Sequence, residues 1–188
     1  IFDGQYHKIS NLYINATTAL QGLFGHSSGG TIQKLSVSGN VTTTVNEVAL
    51  LVGNNQGTIS DCNTSGQVSG AAYVGGITGE NSSTITRSYN TAKVTASSGY
   101  GGGVAGINQG KGAISHSYNS GAISSASDEQ YKERVGGVVG WQNSDDASVK
   151  SCYNIADISR GGTISAAIIG GKTAGLAEND YFLSTSTS

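Results

Sequence analysis

The sequence predicts an all-β chain wound as a parallel β-helix, a β-solenoid of about six turns with roughly 27 residues and three short strands per turn. Three observations predict it. The chain repeats itself at a period near 27 residues, glycine and small polar residues punctuate every repeat, and no stretch shows the 3.6-residue period of a helix.

The first repeated pattern is an apolar pair closed by glycine. It occurs at Leu23-Phe24-Gly25, Leu51-Val52-Gly53, Ile77-Thr78-Gly79 (with Thr second), Val104-Ala105-Gly106, Val138-Val139-Gly140 and Ile168-Ile169-Gly170. The closing glycines are 28, 26, 27, 34 and 30 residues apart. The second pattern follows the first five copies at a short interval. It opens on Ile32, Ile59, Ile85, Ile114 or Val149 and closes nine positions later on Val41, Val68, Val94, Ile123 or Ile158. Incomplete copies stand at both ends, Ile9-Ser-Asn-Leu-Tyr-Ile14 and Asn179-Asp180-Tyr181-Phe182. One such unit is too short to enclose a core, whereas stacked units bury a continuous apolar column.

The alignment places side chains in columns. Ile32, Ile59, Ile85, Ile114 and Val149 stack in the core, as do Val41, Val68, Val94, Ile123 and Ile158. Gly39, Gly66, Ala92, Gly121 and Ala156 share a corner too tight for larger side chains. Asn90, Asn119 and Asn154 form a column able to pass amide hydrogen bonds from turn to turn. Tyr89, Tyr118 and Tyr153 precede them, and alternation after Ser88, Ser117 and Cys152 directs their rings outward. These three tyrosines are the candidate ligand-binding residues, since an aromatic ring with a polar tip suits a sugar chain or a protein partner. Ring-on-ring stabilisation without any ligand is the plainer reading of the same column.

Composition narrows the function classes. Net charge is −2 and the ten Lys and Arg are scattered, so a nucleic-acid footprint is missing. No apolar run approaches the length of a transmembrane segment. Opening on Ile1 rather than Met, residues 1–188 read as one domain from a longer precursor, with partial or capping turns at 1–21 and 166–188. Cys62 and Cys152 share one repeat position three turns apart, about 14 Å at about 4.8 Å per turn, so they are expected to be unpaired.

Candidate chemistry is thin. Gly101 to Gly106 matches G-x-G-x-x-G, but a β unit follows where a dinucleotide site needs a helix. Ala166 stands where a phosphate loop ending at Gly171-Lys172-Thr173 needs glycine. His7, His26 and His116 share no column, so neither a metal site nor a nucleophilic triad is expected, and no cofactor. Asn143, Asp145 and Asp146 offer oxygen ligands for calcium without a recognisable loop pattern. The acids scatter over different columns and cluster only in loops, against a polysaccharide lyase or glycosidase, the rival enzymatic reading. The hydroxyl column Thr42, Ser69, Thr95, Ser124 and Ser159 has neighbours too uneven for an ice-binding lattice. Two insertions, Ser124 to Arg134 and Gln142 to Ser148, lengthen different corners.

The units resemble the GLUG motif. Gly75-Gly76-Ile77-Thr78-Gly79 followed by Ile85, Ser88, Tyr89 and Asn90 is close to its pattern, and Gly136-Gly137-Val138-Val139-Gly140 followed by Cys152, Tyr153 and Asn154 is closer. Ala92 and Ala156 depart from it where glycine is usual, and the final unit from Ser165 is degenerate. The resemblance implies a bacterial secreted or cell-surface protein, either adhesin-like or the non-catalytic region of an M26-type immunoglobulin A metallopeptidase. No H-E-x-x-H is present, so peptidase activity does not carry over. What the resemblance implies is a non-catalytic spacer or binding scaffold, extracellular, whose partners are a host glycoprotein or glycan and neighbouring domains of the parent protein.

Overall fold

Each repeat forms one coil, because its apolar positions are too few to cover one another and are covered by the coils above and below. The computed structural model of the chain describes residues 1–125, 134–160, 163–164 and 168–182. Among the described residues all strand pairing between coils is parallel, and the antiparallel contact, Ser159 with Ile164 and Arg160 with Thr163, joins two strands that follow each other in the chain. The stack is a β-solenoid of about six turns.

Three sheets line the coil. One has six strands, Phe24–Ser27, Val52–Asn55, Thr78–Asn81, Ala105–Asn108, Val139–Gln142 and Ile169–Lys172, in chain order. A second has three, Val74–Gly75, Tyr100–Gly102 and Arg134–Gly136. The third has 16 strands and carries both predicted core columns. Ile32, Ile59, Ile85, Ile114 and Val149 are in register. So are Val41, Val68, Val94, Ile123 and Ile158. The three expected stretches are all strands, and tight corners add two more, so the coil from Val74 holds Val74–Gly75, Thr78–Asn81, Thr84–Thr86, Tyr89–Asn90 and Lys93–Ala96.

One corner repeats with unusual regularity. Lys34, Asp61, Arg87, His116, Ser151 and Asn179 each lie two residues after the core column, with φ between 46° and 54°. A left-handed side-chain-bearing residue costs roughly 1–2 kcal/mol. Packing repeats it because the bend turns the next residue, Cys62, Ser88, Ser117 or Cys152, inward, where all four are buried.

Three details differ from expectation. The N-terminal strand, Phe2–Ile14, puts Phe2 on Ile32, Ile9 on Val37 and Ile14 on Val41. Two register shifts absorb the difference, so the copy opening at Ile9 does not enter the Ile32 column. Gln142 and Ser148 both belong to strands, and Gln142 is fully buried, so only Asn143 to Ala147 forms that corner. Of the other predicted insertion, Ser124 to Arg134, the two ends belong to paired strands, Ser124 and Ser125 on Thr95 and Ala96 and Arg134 on Tyr100; residues 126–133 lie outside the described residues, as does part of the proposed cap at 166–188.

The cysteines are free and buried, as their three-turn separation requires. Each thiol faces the carbonyl two residues earlier, Ser60 at 3.2 Å and Lys150 at 3.4 Å. Burial raises Cys62 to about 11 and Cys152 to about 12, leaving almost no thiolate at neutral pH. Native protein at pH 7.5 is therefore expected to resist iodoacetamide, with both thiols alkylated after unfolding. Mass spectrometry of the two samples checks this, and rapid native labelling would contradict the packing.

Candidate binding face: the tyrosine column

The pitch of the tyrosine column is set from inside the coil. Asn90, Asn119 and Asn154 are buried, and Nδ2 of each of the first two donates to Oδ1 of the next at 2.8 Å. Thr64 Oγ1 begins the ladder by donating to Asn90 Oδ1 at 2.8 Å. Within its own coil each asparagine also clasps the peptide two residues on. Asn119, for example, donates to Gly121 O at 2.8 Å and accepts from Gly121 N at 3.2 Å. Both amide hydrogens and both oxygen lone pairs of Asn119 are thereby used, so its orientation is fully specified.

One residue before this ladder, Tyr89, Tyr118 and Tyr153 stand in parallel register. Their centroids are 4.7 Å and 4.8 Å apart, with interplanar angles of 5° and 4°. Tyr89 and Tyr118 are half-buried and Tyr153 is exposed. Backbone register continues the column to Asn63 and Ser36 on one side and Tyr181 on the other.

This geometry revises what the column can offer a ligand. Both faces of Tyr118 are covered by its neighbours, so its accessible part is an edge with a hydroxyl rather than a flat platform. Burial, then Tyr89 and Tyr153, raises the Tyr118 phenol, which keeps its hydroxyl a neutral donor. The face is a row of phenol hydroxyls at the pitch of the coil.

Two ladders of comparable order escape the sequence alignment. Asn55, Asn81, Asn108 and Gln142 form a second buried amide column, linked at 2.8, 2.8 and 3.2 Å. The signal was an amide residue two positions after each repeat glycine, at Gly53, Gly79, Gly106 and Gly140. Gln142 replaces asparagine where the corner is longer, and its Nε2 reaches Leu176 O at 3.2 Å in the next coil. A second aromatic stack runs Tyr73, Tyr100, Trp141, with centroids 5.6 Å apart at each step, and Arg134 lies 3.6 Å over the indole. Its signal was Tyr or Arg before Val74-Gly75-Gly76, Gly101-Gly102-Gly103 and Val135-Gly136-Gly137.

Most acids of the described residues serve the coil. Asp61 forms a two-pronged pair with Arg87, both contacts 2.8 Å, and Asp180 accepts from Cys152 N at 2.8 Å. Glu80 Oε1 accepts from Gln109 Nε2 at 2.7 Å, and burial, with the charge of Glu80 adding to it, raises the Glu47 carboxyl. Among the described residues no group of three or more His, Cys, Asp or Glu could hold a metal ion. No helix among them is long and apolar enough to cross a membrane.

The chain is similar to the crystal structure of a "putative immunoglobulin A1 protease" from Bacteroides ovatus. The TM-score is 0.79 and the sequence identity 25%, over 98% of this chain and 60% of that one. No protein-family profile matches the chain, so its likeness to GLUG repeats rests on the residues quoted for it. No curated protein matches it either.

Proposed function

We propose that this chain is a GLUG-type, non-catalytic segment of a bacterial extracellular protein, a rigid spacer and binding scaffold whose contact edge is Tyr89, Tyr118 and Tyr153. The observation that carries the reading is where the polar groups go. The amides of Asn90, Asn119 and Asn154 and the hydroxyls of Ser88 and Ser117 are buried and bonded within and between coils, whereas the phenols of Tyr89, Tyr118 and Tyr153 stack in a regular row on the outside of the same corner. Likeness to a longer protein, of which the chain spans 60%, supports its role as one segment among others. A host glycoprotein or glycan is the partner class suited to spaced phenol donors. The rival glycosidase reading needs a pair of carboxyl groups about 5–9.5 Å apart across a cleft, whereas Asp61, Glu80 and Asp180 are each held by a partner of the coil, Arg87, Gln109 and Cys152 N.

Tyr118→Phe separates binding from packing, because it removes the hydroxyl and keeps the ring in its stack. The expected result on a glycan and host-glycoprotein array is about fivefold weaker binding with an unchanged melting temperature, the effect of one net hydrogen bond. Intact binding in Tyr89→Phe, Tyr118→Phe and Tyr153→Phe alike would remove the tyrosines from the contact edge. No binding by the wild-type chain would leave the spacer role alone.

A further inference from the structure

The second amide column stops one coil short of the N-terminal end. Asn55, Asn81, Asn108 and Gln142 each stand three residues after a fully buried inward position, Val52, Thr78, Ala105 or Val139. At every step the amide nitrogen of one coil donates to the side-chain oxygen of the coil that follows. In the first coil the same two places are held by Phe24, in register with Val52, and Ser27, in register with Asn55. Ser27 is only 9% exposed, yet among the described residues its hydroxyl has no hydrogen-bond partner. Thr64, the hydroxyl that begins the other ladder, is by contrast bonded to Asn90 at 2.8 Å.

The strand that carries Ser27 is also open. Phe24–Ser27 is the outermost strand of its six-stranded sheet and is paired only with Val52–Asn55. Beside it runs a groove of about 330 Å³, at the small end of the range for ligand clefts, lined by Phe2, Phe24, Ser27, Ser28, Thr31 and Ile32 among others. Phe2, in register with Ile32, ends one core column, and Phe24 ends another. The two rings meet edge to face with centroids 5.2 Å apart, and Phe2 remains 43% exposed. An unpaired parallel edge, an apolar floor and a buried hydroxyl without a partner therefore coincide.

The geometry points to Phe24–Ser27 as a docking edge for a parallel β-strand of another polypeptide, one with an apolar residue to cover Phe24 and, three positions on, an Asn or Gln whose amide donates to Ser27 Oγ. An open edge supplies main-chain hydrogen bonds to an added strand, and alternate side chains supply the selection. The direction of the ladder makes the incoming group the donor. An amide suits the place better than an ammonium, because it also clasps its own peptide, as Asn55 does with Gly57 O at 3.0 Å and Gly57 N at 3.2 Å. A second copy of this chain is a poor occupant. Its outer strand in this sheet, Ile169–Lys172, has Lys172 at the amide position, in register with Gln142. At the same end Thr163 and Ile164 lie antiparallel on Arg160 and Ser159, along the edge that a further parallel coil needs.

The test uses the whole chain and a fluorescein-labelled peptide with the sequence of residues 51–60, LVGNNQGTIS. A second peptide has alanine in place of the asparagine that matches Asn55. Each is titrated into wild type and Ser27→Ala, with anisotropy for affinity and backbone amide NMR shifts for location. Saturable binding is expected, with shifts centred on Phe24–Ser27. The alanine peptide should bind wild type about fivefold more weakly, the effect of one net hydrogen bond, and the two peptides should bind Ser27→Ala equally. No saturation at millimolar peptide, shifts centred on Ile169–Lys172, or a fivefold preference kept by Ser27→Ala would overturn the proposal. Sedimentation of the chain alone should show a monomer, and a dimer that the peptide disperses would make the second copy the occupant and overturn it too.

Discussion

Gly103→Ala is expected to cost about 3–5 kcal/mol, although it adds one methyl group. A Cβ at this position would lie 2.2 Å from both Asn119 Cγ and Gly137 O. Neither neighbour is able to yield. Gly137 O accepts the inter-coil bond from Gly103 N at 3.1 Å, and the Asn119 amide is fixed by bonds to Asn90, Gly121 and Asn154. Displacing Asn119 would strand buried donors and acceptors in three coils, each worth about 1–3 kcal/mol when left unpaired. Gly30→Ala is the control, since a Cβ there meets nothing within 4 Å. It should stay within about 1 kcal/mol of wild type. Thermal melting of both variants decides the matter, and equal melting temperatures would mean that the asparagine column does not set the spacing of the coils.

The asparagine and core columns were legible because every coil presents them at the same offset from an Ile or Val. Unequal corners do not disturb such positions, since insertions fall between the patterns. The second amide column was harder to see because Gln142 replaces asparagine and because its corners differ in length. Asn55 clasps Gly57, two residues on, whereas Asn108 clasps Gly112, four residues on. The corner at Glu47 could not be read at all, because it lies in the spacer between patterns, its neighbours at the same corner are Leu20 and Tyr73, and only closure of the coil brings its backbone against Gly79. The outward direction of Tyr89, Tyr118 and Tyr153 follows from alternation. The covering of their faces does not, because it depends on ring planes that no sequence pattern specifies.

Ile114→Ala tests the core itself, and a loss of about 2–5 kcal/mol is expected, as for other buried isoleucines. Ile114 is fully buried between Ile85 and Val149, and its carbonyl lies 3.8 Å from the Cys152 thiol. The upper part of that range is favoured by architecture. A solenoid core is one side chain deep in each coil, and the ladders on either side hold the coil spacing, so neighbours cannot collapse into the space left behind. At about 2–4 °C per kcal/mol for a chain of this size, the melting temperature should fall by roughly 4–20 °C. Coils in such a stack contact only their neighbours, so the damage should also be local. Hydrogen exchange should accelerate most in the segments around Ile85, Ile114 and Val149 and least in the first coil. Lys111→Ala, an exposed change in the same coil, should shift stability by no more than about 0.5 kcal/mol. An Ile114→Ala loss no larger than that of Lys111→Ala would mean that this column does not carry the core, whereas exchange that accelerates uniformly along the chain would mean that the coils unfold as one unit rather than as neighbours.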